Sequence, residues 1–155
     1  MMTETITPIT EQIYLGNFNG YRPEILIKHK IDVVISVLSE PERIDTIKKM
    51  SKVKGVLYYV IDIRDIPDQY DQLYSSLREI YPKIEHYLKK GKKIFFHCLM
   101  GISRSASSVI YTLMRYHNLT YKVGFSYVKQ KRDVIRPNYM FAKMLEKVDF
   151  FLRNQ

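Results

Sequence analysis

Apolar and polar positions along the chain follow two periods, and the two alternate. Ile94-Phe95-Phe96 after Lys93 is a short continuous apolar run, as a strand buried on both faces of a parallel sheet requires. Ile31-Asp32-Val33-Val34-Ile35-Ser36-Val37 predicts another strand, with residues 23–28 a short helix before it. Glu40-Pro41-Glu42-Arg43 predicts a turn into a helix ending near Lys52. Leu73, Leu77, Ile80, Ile84 and Leu88 then recur at helical spacing, which predicts a helix over about residues 71–90 with Gly91 as its stop. Pro82 falls inside it and should kink or split it, since proline lacks a donor and clashes with the preceding turn. Two closing helices are expected at about residues 119–131 and 139–153. Strands alternating with helices argue for a single α/β domain over residues 1–155. A central, mostly parallel twisted sheet would be flanked by helices, with ligands beyond the strand C-termini.

Cys98, the chain's only cysteine, falls at such a strand end, in His97-Cys98-Leu99-Met100-Gly101-Ile102-Ser103-Arg104-Ser105. The apolar strand leads in, and residues from Ser105 to Tyr111 lead out with helical spacing. Gly101 lets the turn between them stay tight. A loop entering a helix in this way aims the N–H groups of Leu99, Met100, Gly101, Ile102 and Ser103 at one point, and the helix dipole adds to them; the spacing suits a phosphate. The same surroundings favour the thiolate of Cys98. Arg104 can fork onto two phosphate oxygens. His97 is expected behind the loop, holding its shape. The Ser105 hydroxyl is close enough to donate to the sulfur as it leaves. Phosphoryl transfer to sulfur, then hydrolysis of the thiophosphate, is the implied reaction. The alternative is an inert, buried strand cysteine.

Composition narrows the setting. A chain of 155 residues, 46% hydrophobic, has room for a full core, and no apolar stretch approaches membrane length. The N-terminus lacks a basic-then-apolar secretory pattern. One cysteine cannot form an internal disulfide, which suits a reducing compartment, cytoplasmic with nuclear entry possible. The net charge of +9 gathers at Lys48-Lys49-Met50-Ser51-Lys52, Lys89-Lys90-Gly91-Lys92-Lys93 and Lys129-Gln130-Lys131-Arg132, each read as a solvated helix end. Their summed field draws acidic partners, phosphorylated segments included, and would equally suit RNA or anionic lipid. The thirteen tyrosines read as half-buried packing residues. His29, His86 and His117 show no metal-ligand spacing.

The loop resembles that of the cysteine-dependent protein phosphatases, specifically their dual-specificity branch: His-Cys, two residues, Gly, one residue, Ser-Arg-Ser. Ile13-Tyr14-Leu15-Gly16-Asn17 is similar to the family's opening strand and turn, residues 31–37 to its next strand, and Arg136-Pro137-Asn138 with Phe141 to the entry of its last helix. The likeness runs from about Ile9 to Leu152. Met100 departs from it, since a small residue is usual there, and this longer side chain bears on specificity.

The resemblance implies a general acid from the loop after the strand Val56–Ile63, and Asp65 falls at the matching position. Asp62, alternating with apolar residues, reads as structural, and Asp68 as a helix-entry residue. Asn138 either supports the loop or simply caps a helix. The activity implied is hydrolysis of phosphotyrosine and phosphoserine or phosphothreonine on protein substrates, with no cofactor, because Arg104 and the loop amides supply the positive charge a metal would. A phosphatase for RNA 5′ ends or phosphoinositides is the second reading, with nucleic acid disfavoured. Ser103-Arg104-Ser105-Ala106 differs from the Asn-Arg-Thr-Gly of RNA-directed relatives, and Leu99, Met100 and Ile102 stand where lipid-directed ones carry lysines. A non-catalytic phosphate-binding adaptor is the third.

Overall fold

The computed structural model describes residues 4–155. Five strands, β1 (Ile6–Pro8), β2 (Ile13–Gly16), β3 (Val33–Val37), β4 (Leu57–Ile61) and β5 (Ile94–His97), form one sheet in the order β1-β2-β5-β3-β4. Only the β1–β2 pair is antiparallel. Six α-helices complete the chain: α1 (Pro23–Lys28), α2 (Glu40–Asp45), α3 (Tyr70–Lys89), α4 (Arg104–Tyr116), α5 (Tyr121–Lys131) and α6 (Tyr139–Arg153). The mostly parallel α/β architecture expected from the alternation is therefore present.

β5 is the central strand, with Ile94 to His97 aligned on Ile13 to Gly16 on one side and Val33 to Ser36 on the other. All four of its residues are fully buried, which is why its sequence reads as an apolar run with no alternation. The helix that follows the loop, α4, is buried from Arg104 through Met114 and packs on β2, β3 and β5, with α3, α5 and α6 around it. An element enclosed on every side holds its first turn, and the loop before it, in one place.

Three local expectations need correction, and a fourth is narrowed. The chain has a strand before the expected opening one, since β1 precedes β2; at three residues it carries too few positions to show a period. The helix begun at Glu40 stops at Asp45 rather than near Lys52, because Ile47 turns into the core through a 3-10 turn at Ile47–Lys49. Of the two outcomes expected at Pro82, a kink or a split, the split does not occur, since α3 runs through it as one helix. Pro82 lies on the exposed side of that helix, where the carbonyl one turn back can bond water. The same helix ends at Gly91 (φ +76°): Gly91 N–H donates to Leu88 O and Lys92 N–H to Tyr87 O, both at 3.0 Å, a terminator that needs a left-handed residue. Finally, Asp62 lies one residue past β4 with its side chain 64% exposed, 3.5 Å from Arg43 Nη1.

Candidate active site

His97, the last residue of β5, has a fully buried ring behind the loop that follows. Its Nδ1 lies 3.1 Å from the Cys98 carbonyl, which can only accept, so Nδ1 carries the proton. Nε2 therefore accepts from Ser36 Oγ of β3 at 2.6 Å. Burial pushes the imidazole pKa down to about 4, with nearby Arg104 adding to the fall, so the ring is neutral at physiological pH.

Cys98 is 2% exposed. Its Sγ accepts the Gly101 N–H at 3.2 Å and lies 3.0 Å from Ser105 Oγ. Gly101 makes the turn at φ +70°, and a Cβ there would stand 2.6 Å from the Gly16 carbonyl, so the position accepts only glycine. The loop carbonyls point away from the sulfur. Leu99 O accepts from Phe18 N–H at 3.3 Å, and Ile102 O from Arg136 N–H at 2.7 Å. α4 then begins at Arg104, and its N-terminal dipole faces the loop.

Arg104 is buried and gripped along one edge. Nη1 donates to Glu42 Oε1 at 2.6 Å and to Ile63 O at 2.8 Å, while Nη2 donates to Glu42 Oε2 at 2.9 Å. The other edge, Nε–H with the second Nη2 hydrogen, is the fork that matches two oxygens of an anion. Nε is buried there without a partner. This forked pair holds the Glu42 carboxyl down at about 2, and the Ser39 N–H and Oγ, which both donate to Glu42 Oε1, add to the effect.

Asp65 is brought to the loop. Its Oδ1 accepts from Ser103 Oγ at 2.7 Å and from Asn138 Nδ2 at 3.0 Å. Asn138 does both things considered for it: Oδ1 caps α6 by accepting Phe141 N–H, and its backbone N–H donates to Ser103 Oγ. Asp68 sits exposed in the 3-10 turn Pro67–Gln69, and neither it nor Asp62 makes a hydrogen bond to the loop. Met100 is 52% exposed on the rim.

Three contributors escaped the sequence. Ser36 reads only as a polar residue inside an apolar strand. Glu42 carried one unused signal, the Ser39-x-x-Glu42 spacing of a helix start. Arg132 reads as part of a solvated basic run but is 3% exposed, with its guanidinium against the loop. No cluster of His, Cys, Asp and Glu able to hold a metal occurs among the described residues, and none of their helices is long and apolar enough to cross a membrane.

The family model for the dual specificity phosphatase catalytic domain matches residues 13–149. The candidate tyrosine phosphatase 123R of Invertebrate iridescent virus 6 is 32% identical over 149 residues, covering 96% of this chain and 94% of the viral one. The Slingshot phosphatase homologue 2 of Homo sapiens is 32% identical over 141 residues, but the chain spans only 9% of its length. Among solved structures, human tyrosine phosphatase-like serine/threonine/tyrosine-interacting protein superposes with a TM-score of 0.79 at 26% identity, over 94% of this chain and 96% of that one. Human DUSP28 superposes at 0.86 and 22% identity, over 98% and 97%, a likeness of fold. With this match enclosing the whole loop and its supports, the chain belongs to the dual specificity phosphatase catalytic-domain family, and is a cysteine-based protein phosphatase.

Proposed function

We propose that the domain hydrolyses phosphotyrosine and phosphoserine or phosphothreonine in phosphorylated proteins through a phosphocysteine on Cys98. The thiolate attacks phosphorus in line as the bond to the leaving oxygen breaks. The free fork of Arg104 and the N–H groups of Leu99 to Ser103 bind the equatorial oxygens, whose charge is shared most widely in the transition state. Asp65, in its protonated form, gives its proton to the leaving oxygen. A water then attacks phosphorus and gives its proton to the Asp65 carboxylate, while the Ser105 hydroxyl donates to the departing sulfur. His97 and Asn138 position the loop. Phosphorylated protein is the substrate partner, and the single thiol suits the reducing cytoplasm, with entry to the nucleus open.

The observation that carries this reading is the buried, unpartnered Arg104 Nε–H beside a sulfur that already accepts a loop amide. A buried donor without a partner costs about 1–3 kcal/mol, and an oxyanion on the loop would satisfy it. The test is a panel of phosphotyrosine, phosphothreonine and phosphoserine peptides, triphosphate-ended RNA and phosphoinositides, with Cys98→Ser as control. Vanadate-sensitive peptide turnover that vanishes in the control is expected. RNA or lipid turned over far faster than any peptide would replace this substrate class, and no turnover of any phosphoester would leave a phosphate-binding adaptor.

A further inference from the structure

Arg132 is a buried cation that the reaction just described does not use. It closes α5 at its C-terminal end, 3% exposed, and among the described residues no carboxylate forms an ion pair with it. Burying a guanidinium without a counter-charge is unfavourable unless its hydrogens are satisfied and an anion lies near. Four hydrogen bonds meet the first condition. Nε donates to Gly101 O at 2.9 Å and Nη2 to Met100 O at 3.2 Å, while Nη1 donates to Glu4 O at 2.7 Å and Thr7 Oγ1 at 2.8 Å. Burial pulls the guanidinium below its ordinary pKa, against the pull of Cys98, Glu4 and Asp133 upward.

The two loop bonds have a geometric consequence. In a trans peptide the carbonyl and the following N–H point in opposite directions. Holding Met100 O on the outside turns Gly101 N–H inward, where it meets Cys98 Sγ at 3.2 Å. Holding Gly101 O outside turns Ile102 N–H inward in the same way. The flanking carbonyls of Leu99 and Ile102 are held by backbone amides, those of Phe18 and Arg136. The two middle peptides depend on one side chain.

We propose that Arg132 is a positioning residue of this phosphatase, aiming the Gly101 and Ile102 amides at the anion and tying their orientation to β1 through Thr7 and to the segment just before it through the Glu4 carbonyl. The assignment rests on the loop being the anion site of the proposed function. It reassigns the basic run at Lys129–Arg132, whose last member faces inward, and it gives the short first strand a task in the site. A lysine cannot replace it, since one ammonium cannot span two carbonyls and Thr7 together.

The test is binding of inorganic phosphate to wild type, Arg132→Met, Arg132→Lys and Thr7→Val. Each is measured well below its own melting temperature, with the Gly101 and Ile102 amide resonances followed by NMR. Phosphate affinity should fall about tenfold or more in Arg132→Met, less in Arg132→Lys, and about two- to threefold in Thr7→Val, and both amide shifts on binding should shrink. kcat should fall more than KM rises. A lowered melting temperature with phosphate affinity within twofold of wild type in every folded variant would leave Arg132 a purely structural residue and overturn the assignment. Full recovery in Arg132→Lys would overturn the geometric part in favour of charge alone. Should Arg132→Met fail to fold, Arg132→Lys and Thr7→Val decide by the same criteria. Wild-type protein that binds phosphate but turns over no phosphoester would refute the proposed reaction and leave the role of Arg132 in anion binding to stand on these variants.

Discussion

Glu42 and Ile63 occupy one edge of the Arg104 guanidinium, and so decide which of its hydrogens remain for a substrate. In Glu42→Gln, the amide would present donors to donors on one side of the contact, and the fork would lose its fixed direction. Turnover of phosphopeptides should fall about ten- to a hundredfold, with inorganic phosphate binding weakened in parallel. Unchanged phosphate affinity would show that α4 alone orients Arg104. Asp65 offers a different signature. In Asp65→Asn, turnover of an alkyl phosphate should drop much further than turnover of an activated aryl phosphate, whose leaving group needs no proton. Equal losses on the two substrates would move the acid elsewhere. The nine residues from His97 to Ser105 were legible because strand end, turn and helix start are contiguous. Glu42 and Arg132 reach the loop from 62 residues before Arg104 and 31 after Gly101, and no local period encodes a contact of that span.

The elements were legible where one period runs long enough to dominate, as in α3, α6 and the apolar β5. They were misread where burial of a single side chain outweighed propensity. Ile47 ends α2 early because its place in the core requires a tighter turn than an α-helix allows. Of the kink or split expected at Pro82, the split does not occur: an exposed proline in a helix anchored by Leu77, Tyr81 and Ile84 costs stability without ending the element. Pro82→Ala should restore the missing hydrogen bond and raise stability by about 1–3 kcal/mol, less the entropy that proline removes from the unfolded chain. A melting temperature higher by a few degrees with unchanged turnover is expected. No rise would mean the helix bends at this point to fit the sheet, and that the bend stabilises more than the bond.

At the scale of the molecule, alternation gave a parallel α/β sheet but not the order β1-β2-β5-β3-β4, which depends on which apolar runs pair. That order makes β5 central and surrounds His97 with β2, β3 and α4, and it sets how the whole protein responds to acid. The unfolded chain protonates His97 near its ordinary value of 6.5, whereas the native ring, desolvated and with Nε2 accepting from Ser36, does so only at about 4. Between those values the unfolded state holds more protons, so stability must decrease as pH falls from 6.5 toward 4. Glu42 extends the decline: unfolded it protonates near 4.5, natively at about 2, so its pairing with Arg104 is lost as pH falls through that lower window. Urea unfolding at a series of pH values should therefore show two successive acid segments, and Glu42→Gln should remove only the lower one. A flat profile between pH 6.5 and 4.5 would mean that His97 is charged in the native state, with two donors on its ring and the Ser36 bond reversed.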